Sequence, residues 1–216
     1  MRLIFCTTLL FLLALINESK SLAQENSFGL RGGINFSDLS NVDADKQQLG
    51  IGWNAGFRAD IKLTKKVSIL SEILYSRKGS VINFNYDFLG EQIAKGETIL
   101  AFDYIDIPVY LAYHPTNKLS IYAGPYIGLM LEAKVDTQAE ILNILNIESD
   151  EDIDLEYFNS KDFGVSAGIS WKYNFIRLGA SYFYGLVKIS NDDDVSKSLI
   201  GDAKNRVFEV YVGVMF

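Results

Sequence analysis

Apolar and polar side chains alternate at every second position in eight separate stretches of this chain. In the last of them Phe208, Val210, Val212, Val214 and Phe216 share one parity, and Glu209, Tyr211 and Gly213 the other. Trp53, Ala55, Phe57, Ala59 and Ile61 likewise oppose Asn54, Gly56, Arg58 and Asp60. Ile105, Ile107, Val109, Leu111 and Tyr113 oppose Asp106, Pro108, Tyr110 and His114, and Phe163, Val165, Ala167, Ile169 and Trp171 oppose Gly164, Ser166, Gly168 and Ser170. A period of two is that of a β-strand. The pattern predicts strands over Phe28–Ser37, Gly50–Leu63, Lys66–Gly79, Ala101–His114, Leu119–Ala133, Lys161–Tyr173, Phe175–Ile189 and Asn205–Phe216. Several exceed the usual globular length of about five or six residues and reach the roughly 9–11 needed to cross a bilayer at a tilt.

The connections sharpen this into a topology. Thr64-Lys65, Pro115 to Lys118 and Asn174 are short, whereas Asp38–Leu49, Ser80–Leu100, Lys134–Ser160 and Ser190–Lys204 are long, and the two kinds alternate throughout. Tight turns at one end and long loops at the other are the asymmetry of an outer-membrane barrel, with turns periplasmic and loops external. The expected fold is all-β: an eight-stranded antiparallel up-and-down transmembrane β-barrel, its apolar parity facing lipid and its polar parity filling a narrow lumen. An even strand number puts both ends of the barrel on the periplasmic side.

The first residues read as an address. Met1-Arg2 is a positive tip, Leu3 to Ile16 is apolar, and Ser21-Leu22-Ala23 places small residues before Gln24. Residues 1–23 are therefore expected to be a cleaved signal peptide and 24–216 the barrel domain, with an uncleaved N-terminal anchor as the alternative. Cys6, the only cysteine, would leave with the signal, so the exported chain does no thiol chemistry.

Composition removes several function classes. The chain has 216 residues, of which 49% are hydrophobic. Its 20 basic against 27 acidic residues give a net charge of −7, which argues against a nucleic-acid partner. One histidine excludes a histidine-rich metal site.

At family level, Phe28-Gly-Leu-Arg-Gly-Gly-Ile-Asn-Phe-Ser37 resembles the opening strand of the small PorT-type outer-membrane β-barrel proteins common in Bacteroidetes. Ile69-Leu-Ser-Glu-Ile-Leu-Tyr-Ser-Arg-Lys-Gly79, Tyr104-Ile-Asp-Ile-Pro-Val-Tyr-Leu111 and Tyr122-Ala-Gly-Pro-Tyr-Ile-Gly128 extend the likeness over most of the chain. The resemblance implies an eight-stranded barrel in the bacterial outer membrane, and it suggests a part in protein secretion or envelope assembly.

The candidate chemistry lies on the polar parity. Arg31, Arg58 and Arg177 are basic, and Asp60, Glu72, Asp106 and Glu209 acidic. Ions withdrawn from water must pair, so these seven are expected to form a structural network inside the barrel. The alternative is a narrow path for ions or small solutes. A lipid-modifying enzyme would need a Ser–His–acid set around His114, with Ser120 near in sequence. The acidic runs Glu148, Asp150, Glu151, Asp152, Asp154, Glu156 and Asp192 to Asp194 suit solvated external loops, with divalent cations bridging to lipopolysaccharide as the sharper alternative. Ala139–Ile147 carries apolar positions spaced for a short helix or a partner-binding element. Lys62, Lys65, Lys66, Lys118 and Lys172 gather at the short turns, where inner-leaflet phosphates lie. Trp53, Tyr113, Trp171, Tyr173, Tyr182, Tyr184 and Phe216 suit an interfacial aromatic girdle. Phe216 is also the expected C-terminal signal for the outer-membrane insertion machinery. The expected role is therefore a non-enzymatic, cofactor-free structural or interaction barrel, whose partners are lipid, lipopolysaccharide, that machinery and an envelope or secretion protein.

Overall fold

Inside a bilayer no water is available to backbone amides, so strands can span it only if every edge is paired. The chain meets this demand with a closed ring. The computed structural model describes residues 26–40, 47–88, 91–141, 145–152, 159–190 and 202–216. The proposed signal peptide lies outside the described residues, as do Asp154, Glu156, Asp192 to Asp194 and the side chains of residues 148–152.

The strands are β1 (Ser27–Ser40), β2 (Gln47–Lys62), β3 (Val67–Phe88), β4 (Glu91–Tyr113), β5 (Leu119–Ile141), β6 (Leu145–Asp152), β7 (Lys161–Tyr173), β8 (Ile176–Gly185) and β9 (Lys204–Met215). All pairings are antiparallel. Neighbours run β1 to β5 in order, then β7, β8 and β9, and β9 returns to β1. Eight strands therefore close the barrel, as the alternation of short and long connections implies. The seam is β1–β9, registered from Gly29↔Met215 to Ser40↔Lys204. It is finished by a mutual pair of bonds: Phe216 N–H donates to Phe28 O at 2.7 Å, and Phe28 N–H donates to Phe216 O at 3.2 Å.

The ninth strand corrects an expectation. Of Ala139–Ile147, residues 142–144 lie outside the described residues, and 139–141 and 145–147 are strand rather than helix: the end of β5 and the start of β6 pair from Ile141↔Leu145 to Lys134↔Asp152. A one- or two-turn helix in water is marginal, whereas adding a strand to β5 satisfies a row of backbone groups. Ser80–Leu100 is likewise not an irregular loop. β3 and β4 stay registered from Ser80↔Leu100 to Phe88↔Glu91, with one irregularity at Tyr86/Asp87. This stretch is rich in β-branched and aromatic residues (Val81, Ile82, Phe84, Tyr86, Thr98, Ile99), which favour continued pairing over a coil. β3, β4 and β5 thus reach 22, 23 and 23 residues, about twice what a tilted span needs. β8 is shorter than expected and ends at Gly185.

The short turns are built from local chemistry. Thr64 Oγ1 accepts the N–H groups of Lys66 and Val67, and Thr116 Oγ1 those of Lys118 and Leu119. Asn174 takes the left-handed conformation (φ 53°) that the β7–β8 turn requires and that Asn tolerates better than most residues.

Side-chain parity divides the wall as the pattern demands. Phe28, Phe57, Leu111, Phe163, Leu178 and Val212 point outward and are exposed, while Arg58, Glu72, Asp106, Tyr110, Ser166 and Glu209 on the other parity are buried. The barrel is apolar outside and polar inside, with an added apolar cluster of Leu39, Leu100, Phe102, Met130 and Ile189 closing the lumen at the hairpin end.

Because the seam depends on the last strand, deleting Val214–Phe216 is expected to reduce heat-modifiable, membrane-embedded protein strongly on a gel. Shortening the β3–β4 hairpin by two cross-strand pairs should leave the yield nearly unchanged. Equal yields would mean that β9 does not close the barrel.

Candidate functional site

An eight-stranded ring leaves an interior only wide enough for side chains to fill. What fills this one is a stack of three layers, each set by the inward parity of the strands.

The central layer is ionic. Arg31 on β1 bridges two carboxylates, with Nη1 3.0 Å from Glu72 Oε2 and Nη2 2.8 Å from Glu209 Oε1. Arg58 Nη1 lies 2.9 Å from Glu72 Oε1 and donates to Tyr211 Oη at 2.7 Å. Asn54 joins the layer by accepting from Arg31 and donating to Glu209 and to Asn35. The Arg31 guanidinium stacks 3.6 Å above the Tyr211 ring. Two cations against two anions leave the layer neutral. Arg is the residue suited to this burial, because its planar fork bonds two partners at once.

The layer towards the hairpins is centred on Lys78, which the sequence reading omitted. Its Nζ is 2.8 Å from Asp106 Oδ1 and 3.5 Å from Asp162 Oδ2, and its side chain is almost wholly buried. Asp162, also omitted, accepts from Tyr126 and Asn205. Both residues carried a usable signal: Lys78 shares the parity of Glu72 on β3, and Asp162 that of Gly164 and Ser166 on β7.

Glycine makes room for the tyrosines between these layers. A Cβ on Gly164 or Gly168 of β7 would lie 2.6 Å from the ring of Tyr126 or Tyr122. Tyr122 Oη then reaches Ser181 and Tyr211, both at 2.8 Å.

The third layer lies at the short-turn end. Asp60 is fully buried, 3.5 Å from Arg177 Nη2 and 3.5 Å from Lys62 Nζ. Arg177 Nη1 donates to Ser120 at 2.9 Å and to Ser170 at 3.2 Å. His114, just past the end of β4, lies between Lys62 (2.7 Å) and Ser68 (2.8 Å) at Nε2 and Ser120 (2.8 Å) at Nδ1. The structure thus places a serine, a histidine and an acid together, but with the wrong polarity for nucleophilic catalysis. An ammonium only donates, so Nε2 accepts from Lys62 and Nδ1 carries the ring proton, which it gives to Ser120 Oγ. Ser120 also receives Arg177, so two donors hold its oxygen, and among the described residues its oxygen has no further side-chain partner. Burial, reinforced by the Lys62 charge, holds the imidazole below its ordinary pKa and thereby in this neutral form.

The seven residues singled out in sequence are thus divided among layers. Arg31, Arg58, Glu72 and Glu209 form the centre, Asp106 belongs to Lys78, and Asp60 and Arg177 pair at the short-turn end. Among the described residues, no three His, Cys, Asp or Glu side chains are grouped to hold a metal ion.

Removing the Glu72 charge by Glu72→Gln takes from Arg58 its carboxylate partner and leaves Arg31 with Glu209 alone, and neither guanidinium can deprotonate. Stability is expected to fall by about 3–5 kcal/mol, less wherever water reaches the layer. Urea titration of refolding into bilayers measures this, with the exposed Lys118→Gln in a short turn as a neutral control. A second outcome follows from His114. Its depressed pKa means that the unfolded chain binds a proton the folded one refuses, so stability should decline as pH falls below about 6.5. Repeating the titration at pH 5.5 and 7.5 should show that His114→Gln removes much of this slope.

The chain is similar in fold to the attachment invasion locus protein Ail of Yersinia pestis, crystallised with the heparin analogue sucrose octasulfate (14% identity, 89% of this chain and 100% of that one, TM-score 0.45). It is similar also to Neisserial surface protein A (15% identity, 88% and 97%, TM-score 0.48) and to a major outer membrane protein of Thermus thermophilus (10% identity, 89% and 100%, TM-score 0.46). No curated protein sequence matches it. Residues 22–191 match the family described as outer membrane protein beta-barrel domain, and this chain belongs to that family, as a barrel of the bacterial outer membrane.

Proposed function

We propose that this protein is a non-enzymatic, non-conducting barrel that holds long β-hairpins outside the cell as an interaction surface. The observation that carries the reading is the continuation of β3, β4 and β5, with β6 added, well beyond the length that a bilayer requires. A paired extension has its backbone already ordered, whereas a coil of equal length bears a larger ordering cost on binding. The filled lumen supports the second half: a neutral ion layer and an apolar cluster lie in series across any path.

Within the family, the Ile105-Asp-Ile-Pro108 and Ala123-Gly-Pro125 motifs favour the PorT-type group, and with it a partner in protein secretion or envelope assembly. Lipopolysaccharide is the proposed neighbour on the outer wall. There Arg77 is clamped by both oxygens of Asp103 at 2.7 Å, and Arg206 lies over the Tyr184 ring. Phe216 is the proposed contact with the insertion machinery.

Two measurements test the proposal. Purified protein in a planar bilayer is expected to give no unitary conductance steps, and a reproducible step would refute the closed lumen. In intact cells, a photo-crosslinking residue at Ile147 in β6 is expected to capture a discrete envelope protein, while one at Lys65 in a short turn captures none of it. Labelling at Lys65, and not at Ile147, by a membrane-impermeant reagent would invert the barrel.

A further inference from the structure

We propose that the short-turn end of the barrel binds the phosphate-monoester headgroup of a lipid from the periplasmic leaflet, with an acyl chain of that lipid in a groove on the outer wall. This inference goes beyond the hairpin reading and stands or falls separately from it.

A cavity of about 720 Å³ opens at this end. It is blind, because the Arg31–Glu72–Arg58 layer lies above its floor of Arg177, Ser120 and His114. A blind cavity of this size suits a bound small molecule rather than transit. Its lining includes Lys62, Lys65, Lys172 and Arg177, and no carboxylate side chain, in a chain whose net charge is −7. Asp60, buried beneath, lies 3.5 Å from both Lys62 and Arg177 and offsets one of these charges. The surplus positive charge matches a phosphate monoester, which carries about −1.5 to −2 at neutral pH. Hydroxyl and amide donors (Thr64, Thr116, Asn117) stand around the mouth.

A second feature selects a lipid over a soluble phosphate. On the outer wall, Ala59 and Ser71 face each other across the β2–β3 pairing, and their small side chains leave a depression. Phe28, Phe57, Ile73 and Phe216 wall it, giving an apolar groove of about 440 Å³. Phe216 borders both the cavity and the groove, at the rim where β1 and β9 end. One molecule with an anionic head and an apolar tail can therefore occupy both spaces across that rim. Of the five lysines that the sequence gathers at the short turns, Lys62, Lys65 and Lys172 are, on this reading, part of a built site rather than a diffuse membrane-facing charge.

The test uses full-length protein in micelles. Native mass spectrometry measures retention of dioleoyl phosphatidate and dioleoyl phosphatidylcholine, and calorimetry measures glycerol 3-phosphate. Phosphatidate is expected to bind at least tenfold more tightly than phosphatidylcholine. Lys62→Gln/Lys172→Gln should lower its affinity at least tenfold; Lys65→Gln/Lys172→Gln, which spares the contacts of Lys62, replaces it if folding suffers. Heat-modifiability on a gel verifies the fold of each variant. Ala59→Leu, which fills the groove without touching the cavity, should weaken phosphatidate and leave glycerol 3-phosphate unchanged. Equal retention of the two lipids, or phosphatidate binding that survives the lysine substitutions, overturns the site. Glycerol 3-phosphate binding as tightly as phosphatidate, with Ala59→Leu without effect on either, assigns the cavity to a soluble phosphate ester and overturns the lipid.

Discussion

The pairing of β1 with β9 is the constraint on which the rest of this structure depends. Without it, two strand edges would stand in hydrocarbon with their amides unbonded, each costing several kcal/mol. With it, the sheet has no edge, and the reciprocal bonds of Phe28 and Phe216 complete the seam at its last residue. Closure on eight strands also fixes the diameter, and the diameter decides what the inward residues must do.

They must fill one another. Tyr122 and Tyr126 of β5 fit only because β7 presents glycine opposite them. The charged residues have no bulk water to return to, so each layer shares its ions: Arg31 lies between Glu72 and Glu209, Lys78 between Asp106 and Asp162, and Asp60 between Arg177 and Lys62. The lumen then changes character along its axis, from an apolar cluster through paired ions to an open basic cavity. That last segment has room for a ligand.

His114 shows how position along this axis sets chemistry. The same serine and histidine, with an acid near, form a catalytic set when the ring accepts the serine proton. Here Lys62 occupies the accepting nitrogen and Arg177 reinforces the oxygen of Ser120, so the group serves as the floor of a pocket. Residue types in proximity did not decide this. The direction of each hydrogen bond did.

The sequence by itself determined the strand parity, the alternation of short turns and long connections, and hence the closed eight-stranded barrel with Arg31, Arg58, Asp60, Glu72, Asp106, Arg177 and Glu209 facing inward. These follow from the two-residue period of the pleat, which is local and survives in any window of a few residues. It did not determine who meets whom across the lumen. Lys78 and Asp162 are 84 positions apart and meet because closure and stagger of the ring bring β3 opposite β7. Nor did it separate the hairpin extension from a loop, since the apolar spacing over 139–147 is compatible with a helix, and the described residues 145–152 are strand because an edge of β5 is there to pair with them. That Phe216 lines both the basic cavity and the apolar groove was equally beyond a linear reading. It does so because it stands at the rim where the last strand meets the first, a place that only the closed tertiary structure creates.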